Sequence, residues 1–523
     1  MPAPTLSLAF DFAGVQLDPR QGLSRQLYQA LRQRVLDGRL DSGMRLPASR
    51  DLASALGISR NSVMRAYDQL LAEGFIEGRV GDGTYVAQLH KGAKDTKNLS
   101  TQLSTGLTTS LPTGLSTSRP FSAADSDNAV IHKPGIERLN LHHLSAVKTG
   151  APRAFRVGLP AVDLFPFAVW GKLQAAFWRR HDLHRLGYGD PAGERSLREL
   201  IAVYLKTSRG LHCSAEQIVI TSGAQQAITL CAQLLLTPGD AVAVENPGYR
   251  AAGHAFGIAG ATLRGVSVDN EGMCCRELDG TNCTLAYVTP SHQYPTGVTM
   301  SLGRRLELLA WAARTGGWIV EDDYDGEYRY SGAPLAPLAA LDKHGRVLYV
   351  GTFGKVAFPA LRLGYLVLPP ELVEPFSRRR AVDMRHSEVA TQAVMAEFIA
   401  AGHFQRHIRR MRRASLSRRN ALLAAWPSDI AGCGQMPIPV AGLHVAVKVD
   451  SVVRERQLIT LAENVDVEIN PLSDYWLPDS ATPMDERAGL VLGFAAVQEP
   501  DIASALMRLR GVWPAGSRRG TGR

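Results

Sequence analysis

Lysine is scarce in this chain of 523 residues, since only ten of its 58 basic side chains are lysines. The six cysteines include no Cys-x-x-Cys pair and show no metal-ligand spacing, so we predict reduced thiols and no metal site. No run of about 18 apolar residues occurs, and the N-terminus lacks a basic segment followed by an apolar stretch. The sequence therefore predicts a cytoplasmic protein that is neither exported nor membrane-spanning.

The composition is otherwise that of a globular protein, with 45% hydrophobic and 20% charged residues. A chain of this length typically has about two to four domains. The net charge of +9 and the isoelectric point of 9.3 favour an anionic partner such as nucleic acid.

Residues 91–150 differ from the rest because they include the low-complexity tract STQLSTGLTTSLPTGLSTS and no sustained apolar period. We interpret them as a flexible linker, whose sixty residues would span roughly 40–45 Å root-mean-square. The linker separates a module at residues 1–90 from a larger region at residues 151–512. A disordered tail is expected at residues 513–523, which end in GSRRGTGR.

The N-terminal module shows the pattern of a helix-turn-helix followed by a hairpin. A first helix has apolar residues at helical spacing, namely Leu27, Leu31, Val35 and Leu36. Two further helices flank a turn at Gly57, with Ser49 and Ser59 as their predicted N-caps and Gly74 ending the second. Their predicted buried faces are Leu52, Ala55 and Leu56, then Val63, Ala66, Tyr67, Leu70 and Leu71. The segment FIEGRVGDGTYV then predicts two short strands around a glycine-rich turn.

This order of elements is typical of a winged DNA reader, whose second helix begins in the major groove. The residues expected there are Ser59, Arg60, Asn61, Ser62 and Arg65. Arg and Asn read guanine and adenine edges, whereas Arg45, Arg50 and Arg79 are expected on phosphates. The alternative is a solvated helical bundle with surface arginines. The segment LPASRDLASALGISRNSVMRAYDQLLAEGFIEGRVGDGTYV resembles the winged helix-turn-helix of GntR-family regulators, which implies operator binding by a dimer.

From about residue 155, strand and helix patterns alternate, which favours an α/β domain with a largely parallel sheet. Four apolar strands each end in a turn with polar or small residues: QIVITSGAQQ, DAVAVENPGY, TLAYVTPSHQYPTG and GGWIVEDDYDGEYRY. Ligands bind at the carboxyl ends of such strands, so Glu321, Asp322 and Asp323 are candidate ligand contacts. Solvated loop acids or a metal site are the alternatives.

Lys355 lies in the apolar stretch YVGTFGKVAFPALRLGY, where an exposed lysine whose stem covers apolar surface is the simpler reading. A lysine in such surroundings can instead form a Schiff base, as pyridoxal phosphate (PLP) requires. The other supports that PLP needs are also present in order. The predicted set is Gly223, Ala224 and Gln225 for the phosphate, Tyr249 over the ring, Asp322 on the ring nitrogen, Tyr324 on the phenolic oxygen, Lys355 on the aldehyde, and Thr352 and Arg362 as further phosphate ligands.

Residues 155–510 resemble fold-type-I aminotransferases. With the N-terminal module, the chain resembles the MocR-type regulators through YGDPAGERSLREL, TSGAQQAI, TPSHQYPTG, EDDYDGEYRY and GTFGKVAFPALRLGY. The resemblance implies a multidomain protein, with a winged helix-turn-helix and an α/β fold-type-I PLP-dependent transferase-like domain that forms homodimers. Under it, Lys355 carries the internal aldimine, where an amine, amino-acid or B6-vitamer effector is sensed. Genes of vitamin B6, amino-acid or amine metabolism would be the targets.

Three positions depart from the aminotransferase pattern. Tyr294 stands where Asn usually precedes Pro-Thr-Gly, and Gly354 stands where Ser is frequent before the lysine. Val491 stands where Arg usually grips a substrate carboxylate, and Arg487 is the expected substitute for an effector carboxylate. Efficient transamination is therefore not expected, and residual activity is left open. An active aminotransferase with an accessory DNA-binding domain, or a DNA-binding protein with an empty second domain, are the alternatives.

The segment RHIRRMRRASLSRR at residues 406–419 is strongly basic. On a helix its charges are expected to spread around most of the surface. A solvated face or a domain contact is therefore the preferred interpretation, with contact to DNA phosphates as the alternative.

Overall fold

The structure is a computed structural model that describes residues 17–18, 22–72, 75–79, 82–87, 139, 149–180, 182–331 and 336–515. It divides into two compact units, Met1–Ala124 and Asp125–Arg523, and the division falls within the predicted linker. Most of that linker, Gly74, the side chains of Leu36 and Arg79, and residues 516–523 lie outside what the structure describes.

The N-terminal unit contains three helices and a two-stranded hairpin. Their bounds are α1 (Leu23–Leu36), α2 (Ser49–Leu56), α3 (Arg60–Ala72), β1 (Ile76–Arg79) and β2 (Gly83–Val86). The strands are antiparallel, with Ile76 opposite Val86 and Arg79 opposite Gly83. One core joins the helices to the hairpin, and its most deeply buried members include Leu27, Leu31, Leu52, Val63, Ala66, Leu70 and Val86. The arrangement is the predicted winged helix-turn-helix.

The turn between α2 and α3 follows the prediction at two of three positions. Gly57 ends α2 with φ of +63°, which costs glycine little, and the Ser59 hydroxyl accepts a 3.1 Å hydrogen bond from the Ser62 amide. Ser49 was expected to cap α2, but it is the first helical residue, and its side chain makes no cap bond.

The predicted buried faces of α2 and α3 each include one residue that is exposed in the structure. Ala55 is exposed and Ala53 is buried in its place, and Leu71 is half exposed while Leu70 next to it is fully buried. A shift of one residue turns a helical side chain by about 100°, so the apolar residue type alone does not assign the face.

The larger unit is built on a mixed sheet of eight strands, in the order β3-β10-β9-β8-β7-β4-β5-β6. Its strands are β3 (Ile218–Thr221), β4 (Ala241–Asn246), β5 (Thr262–Asp269), β6 (Gly272–Met273), β7 (Cys283–Val288), β8 (Trp318–Asp322), β9 (Val347–Thr352) and β10 (Gly364–Val367). The central strands β9, β8, β7, β4 and β5 are parallel, whereas β10 and β6 are antiparallel to their neighbours. The largely parallel sheet predicted from the sequence is therefore present.

Helices cover this sheet on both faces and continue into a smaller C-terminal layer. They are α4 (Phe167–Arg179), α5 (Arg195–Arg209), α6 (Ala224–Leu235), α7 (Arg250–Ile258), α8 (Leu302–Thr315), α9 (Leu338–Leu341), α10 (Pro370–Met384), α11 (Val389–Ala400), α12 (His403–Ala425), α13 (Val452–Glu463) and α14 (Glu499–Val512). A three-stranded antiparallel sheet, in the order β11-β13-β12, completes the unit with strands β11 (His444–Lys448), β12 (Asn470–Pro471) and β13 (Gly489–Gly493).

The C-terminal layer extends beyond the boundary expected from the sequence. Trp513 was assigned to the tail, but it is buried, and its indole N–H donates a 2.9 Å hydrogen bond to the Leu458 carbonyl. Its ring also lies 5.8 Å from that of Trp426. Within the described residues, no helix is both long enough and apolar enough to cross a membrane.

Candidate cofactor pocket and DNA-reading surface

A cavity of about 200 Å³ lies at the carboxyl ends of strands β3, β4, β7, β8 and β9. Parallel strands bring their carboxyl ends to one edge of the sheet, where α/β folds bind ligands. All nine predicted cofactor contacts line the cavity, namely Gly223, Ala224, Gln225, Tyr249, Asp322, Tyr324, Thr352, Lys355 and Arg362.

Lys355 follows β9 and points its amine into the cavity. Its Nζ donates a 2.7 Å hydrogen bond to the Gly158 carbonyl, from the start of the unit. Desolvation lowers the pKa of Lys355, although the carboxylates of Asp325 and Asp322 oppose the shift. A lowered pKa increases the neutral fraction of the amine, which is the nucleophilic form.

Asp322 ends β8 with its carboxylate buried. Its Oδ2 accepts a 2.7 Å hydrogen bond from the Tyr287 hydroxyl, while its Oδ1 is buried without a protein partner. Desolvation raises the pKa of Asp322 to about 7. An oxygen that is buried and unpartnered at a cavity wall calls for a donor from a ligand, such as a pyridinium N–H.

Gly223, Thr352 and Arg362 of the cavity wall form a candidate phosphate site. Gly223 precedes α6, so the first amides of this twelve-residue helix point toward the cavity. The Arg362 guanidinium lies close enough that a Cβ on Gly223 would be 3.6 Å from it. The Thr352 hydroxyl accepts a 3.0 Å hydrogen bond from the Gly354 amide, and this bond fixes the loop that carries Lys355. Helix amides, a hydroxyl and a guanidinium together match a phosphate dianion.

Four tyrosines line the cavity, namely Tyr249, Tyr287, Tyr294 and Tyr324. The rings of Tyr249 and Tyr294 are 5.6 Å apart and perpendicular, and burial raises the pKa of Tyr249 to about 12. The hydroxyl of Tyr324 donates a 2.9 Å hydrogen bond to the His292 carbonyl. The hydroxyls of Tyr294 and Tyr475 lie 3.1 Å apart, so the tyrosine at the unusual position before Pro-Thr-Gly is bonded within the protein.

Sequence reasoning missed a buried network beside Lys355. The Nδ1 of His292 lies 2.9 Å from Asp325 Oδ2 and 3.0 Å from the Tyr324 hydroxyl. The His444 ring, which lines the cavity, is 4.5 Å from that of His292. A side chain on Gly442 would approach the His292 ring to 1.9–2.4 Å, so glycine is required there. The segments SHQYPTG and EDDYDG contain His292, Tyr324 and Asp325, but nothing in them indicates that these side chains pair.

The side chains of His292, Asp325 and His444 have possible ligand atoms within 4.8 Å of one another, as the ligands of a metal site would. However, His292 Nδ1 already faces Asp325, and His444 Nε2 lies 3.1 Å from the Pro295 carbonyl. The Nε2 of His292 and the Oδ1 of Asp325 are buried without a hydrogen-bond partner among the described residues.

The other two candidate acids, Glu321 in β8 and Asp323 directly after it, are not among the residues that line the cavity. Glu321 accepts hydrogen bonds from the amides of Leu338 and Ala339, at 2.8 and 2.9 Å, and so holds the start of α9. Asp323 forms an ion pair with Arg209 and accepts a 2.6 Å hydrogen bond from Tyr349. Neither the metal site nor the solvated acids considered from the sequence match these contacts.

Arg487 is not among the residues that line the cavity. It lies in a 3₁₀ turn, and its guanidinium donates to the carbonyls of Thr482 and Ser480, at 2.9 and 2.6 Å. Val491 is fully buried in β13, opposite Ala446. The expectation that Arg487 grips an effector carboxylate therefore has no support from its position.

In the N-terminal unit, the predicted DNA-reading residues share one end of α3. Ser59, Arg60, Asn61 and Arg65 are exposed there, and Ser62 is half-buried beside Ser59. The expected phosphate contacts Arg45 and Arg50 are also exposed, and Arg45 pairs through its backbone with Tyr85 of the hairpin. The Arg60 guanidinium donates a 3.3 Å hydrogen bond to the Ser49 hydroxyl, which links the two helices of the motif.

Both units match known families. The sequence profile of the bacterial regulatory proteins of the gntR family matches residues 23–86, and that of class I and II aminotransferases matches residues 168–437. The chain is 34% identical to the probable rhizopine catabolism regulatory protein MocR of Rhizobium meliloti, over 93% of each chain. The chain belongs to the MocR-type regulators.

Other similarities agree with this assignment. The MocR-type chain is 29% identical to the pyridoxine biosynthesis transcriptional regulator PdxR of Corynebacterium glutamicum, over 95% of this chain and 97% of PdxR. It superposes on a Pyrococcus horikoshii kynurenine aminotransferase with a TM-score of 0.62 and 28% identity, over 74% of this chain and 96% of the enzyme. These matches confirm the two fold predictions and a PLP-dependent transcriptional regulator. The aminotransferase-like domain implies PLP as its cofactor.

Proposed function

We propose that this regulator binds PLP through Lys355 and operator DNA through α3, and that an effector in the cavity alters DNA binding. The observation that carries the proposal is that one cavity is lined by two groups that match two reactive positions of PLP. Lys355 offers an amine of lowered pKa, and Asp322 offers a buried Oδ1 without a protein partner. PLP has an aldehyde for the first group and a ring nitrogen for the second.

The remaining contacts would orient the cofactor. Gly223, Ala224, Gln225, Thr352 and Arg362 would hold its phosphate, because they place amides, a hydroxyl and a cation in the wall of the cavity. Tyr249 would cover the ring, and Tyr324 would reach its phenolic oxygen. When bound, PLP supplies an electrophilic carbon that can exchange its amine partner.

The regulatory step follows from that exchange. A small amine or an amino acid that occupies the cavity would replace the Lys355 amine at that carbon and release it as a free amine, whereas a B6 vitamer would act by occupying the cofactor cavity itself. An effector alters DNA binding only if its affinity differs between two arrangements of the protein. We infer a homodimer that carries two tethered readers, and target genes in vitamin B6, amino-acid or amine metabolism, as the names of the relatives suggest.

The assignment of Lys355 is tested by replacing it with alanine. Wild-type protein that is incubated with PLP and reduced with borohydride should retain covalently attached cofactor after denaturation, as measured by mass spectrometry. Lys355→Ala should retain none, while the exposed Lys206→Ala on α5 should behave as wild type. Reducible, covalent cofactor in the Lys355 variant would show that another amine carries PLP.

A further inference from the structure

The exposed side of α12 carries five arginines, Arg406, Arg409, Arg410, Arg412 and Arg413. We propose that this α12 arginine face binds the phosphate backbone of the DNA that the N-terminal readers hold. The proposal rests on the proposed function, since it requires that the chain binds duplex DNA. It adds a second, sequence-independent DNA contact in the aminotransferase-like unit.

The arginines are concentrated on one side of the helix. Arg406, Arg409, Arg410 and Arg413 are spaced i, i+3, i+4 and i+7, which places them on one helical face, and all five arginines are exposed. The opposite side is buried in the unit, through Phe404, His407, Ile408, Met411, Ser415, Arg418 and Leu422. The sequence predicted charge around most of the helix, but the core contacts confine these five to the solvent side.

The charge of this face is not neutralised by the protein. In the part of the chain that the structure describes, none of the five guanidiniums forms an ion pair with a carboxylate. Arg406 and Arg412 donate to the carbonyls of Ala401 and Glu327, at 3.0 and 2.8 Å, and Arg410 contacts His407. These contacts orient the side chains and leave their charge uncompensated.

Some exposed arginines elsewhere in the unit form ion pairs and others do not. Arg195 lies 2.8 Å from Glu199, Arg314 lies 2.7 Å from Asp279, and Arg378 lies 2.5 Å from Glu374. A row of like charges without counterions nearby raises the local potential and favours a polyanion as partner. The α12 arginine face is therefore distinguished by the clustering, on one helix side, of five arginines that form no ion pairs with the described residues.

The dimensions of the face suit duplex DNA. Residues 406 to 413 extend about 10.5 Å along the helix axis, at about 1.5 Å per residue. Duplex DNA carries one charge per about 1.7 Å of axis, so about six charges lie within that length. Guanidiniums bind phosphates with two parallel hydrogen bonds, which an ammonium cannot do.

The test uses the full-length protein and a random-sequence 40-bp duplex, because a phosphate contact does not require the operator. Affinity is measured from 50 to 200 mM salt for wild type and for R406Q/R409Q/R413Q. If each arginine contacts one phosphate, the slope of log K against log salt falls by about 2.7. The advantage of wild type over the variant then shrinks about 40-fold across this range.

Two control variants make the outcome specific. R195Q/R314Q/R378Q removes the same net charge from paired sites, and its slope should match wild type. R406K/R409K/R413K keeps the charge of the face, and its slope should also stay near that of wild type. An unchanged slope for R406Q/R409Q/R413Q, or an equal loss in the paired-site control, would overturn the proposal.

Failures of the two proposals can be distinguished. If wild type binds no duplex at any of these salt concentrations, the proposed function fails, and this inference fails with it. If wild type binds and the glutamine variant binds equally, only the α12 arginine face is refuted. A change of oligomeric state in the glutamine variant, measured by light scattering, would assign the face to an interface between copies and refute the DNA contact.

Discussion

Replacing Asp322 with asparagine should stabilise the cofactor-free protein and weaken cofactor binding. Asparagine has nearly the same shape but no charge. Burial raises the pKa of Asp322 from an ordinary value of 3.8 to about 7 in the folded protein. A carboxyl whose pKa is raised by folding contributes fully to stability below about pH 3.8, and this contribution is lost as the pH rises through 7. The asparagine variant cannot ionise at this position, so its stability does not fall in this way as the pH rises.

The size of the effect follows from the two pKa values. A difference between 3.8 and about 7 corresponds to roughly 4 kcal/mol of unfolding free energy, as an upper bound. Cofactor-free Asp322→Asn should therefore match wild type near pH 4 and exceed it by up to about 4 kcal/mol at pH 8. Desolvation and, to a smaller extent, the charge of Asp322 raise the pKa of Glu245, so the difference between the two proteins includes a contribution from Glu245.

The assay is urea unfolding followed by tryptophan fluorescence. All seven tryptophans lie between residues 170 and 513, so the signal reports the larger unit alone. Asp429→Asn, at an exposed carboxylate, serves as the matched control and should not change the pH dependence. In parallel, equilibrium dialysis should show that Asp322→Asn binds PLP at least about 10-fold more weakly, because a charge-assisted hydrogen bond is lost. A variant that is less stable than wild type at pH 8 would refute the reasoning.

Three further predictions concern the reader, the dimer and the buried network. Asn61→Ala should reduce discrimination for the best site by about 1–3 kcal/mol in competition binding, whereas equal loss on all sequences would assign Asn61 to a phosphate. Tethered readers should bind two half-sites in helical phase, so stepping their spacing by about 5 bp should make affinity oscillate with a period of about 10–10.5 bp, and a flat response would argue against paired readers. Gly442→Ala should lower the unfolding free energy by about 2 kcal/mol or more, because its Cβ would meet the His292 ring. Gly345→Ala, whose Cβ would have no contact closer than 3.9 Å and whose φ is also positive, should cost about 1 kcal/mol, and equal losses would contradict the contact.

That the nine candidate cofactor contacts line one cavity was predictable from where they lie along the chain. Gly223, Asp322 and Lys355 each follow or end a short apolar strand, and parallel strands bring such positions to one edge. The local pattern of strand followed by turn was therefore sufficient to predict which distant residues lie close together.

The His292 network was not predictable in this way. It joins the loop after β7, the loop after β8 and the start of β11, and His444 lies 152 positions beyond His292. Polar residues in glycine-rich loops show no periodicity, and the pairing depends on Gly442 leaving room for a ring. A hydropathy pattern indicates which residues are buried, but it does not indicate which two loops contact each other.

The predicted distribution of charge around the basic segment, residues 406–419, was wrong for a related reason. Counting charges over residues 406–419 groups Arg418 with its exposed neighbours, but Arg418 is buried and pairs with Asp163 at 2.7 Å. Packing, which the sequence does not display, separates a structural arginine from the exposed row. The same limit explains the errors at Ala55 and Leu71.

The cavity takes its residues from most of the length of the larger unit, from Gly158 to His444, whereas the reader is complete by residue 87. On the ribosome, about 360 residues separate the two events, which at about 5–20 residues per second is roughly 20–70 s of synthesis. Each nascent chain would thus carry a finished DNA reader well before it has a place for the cofactor.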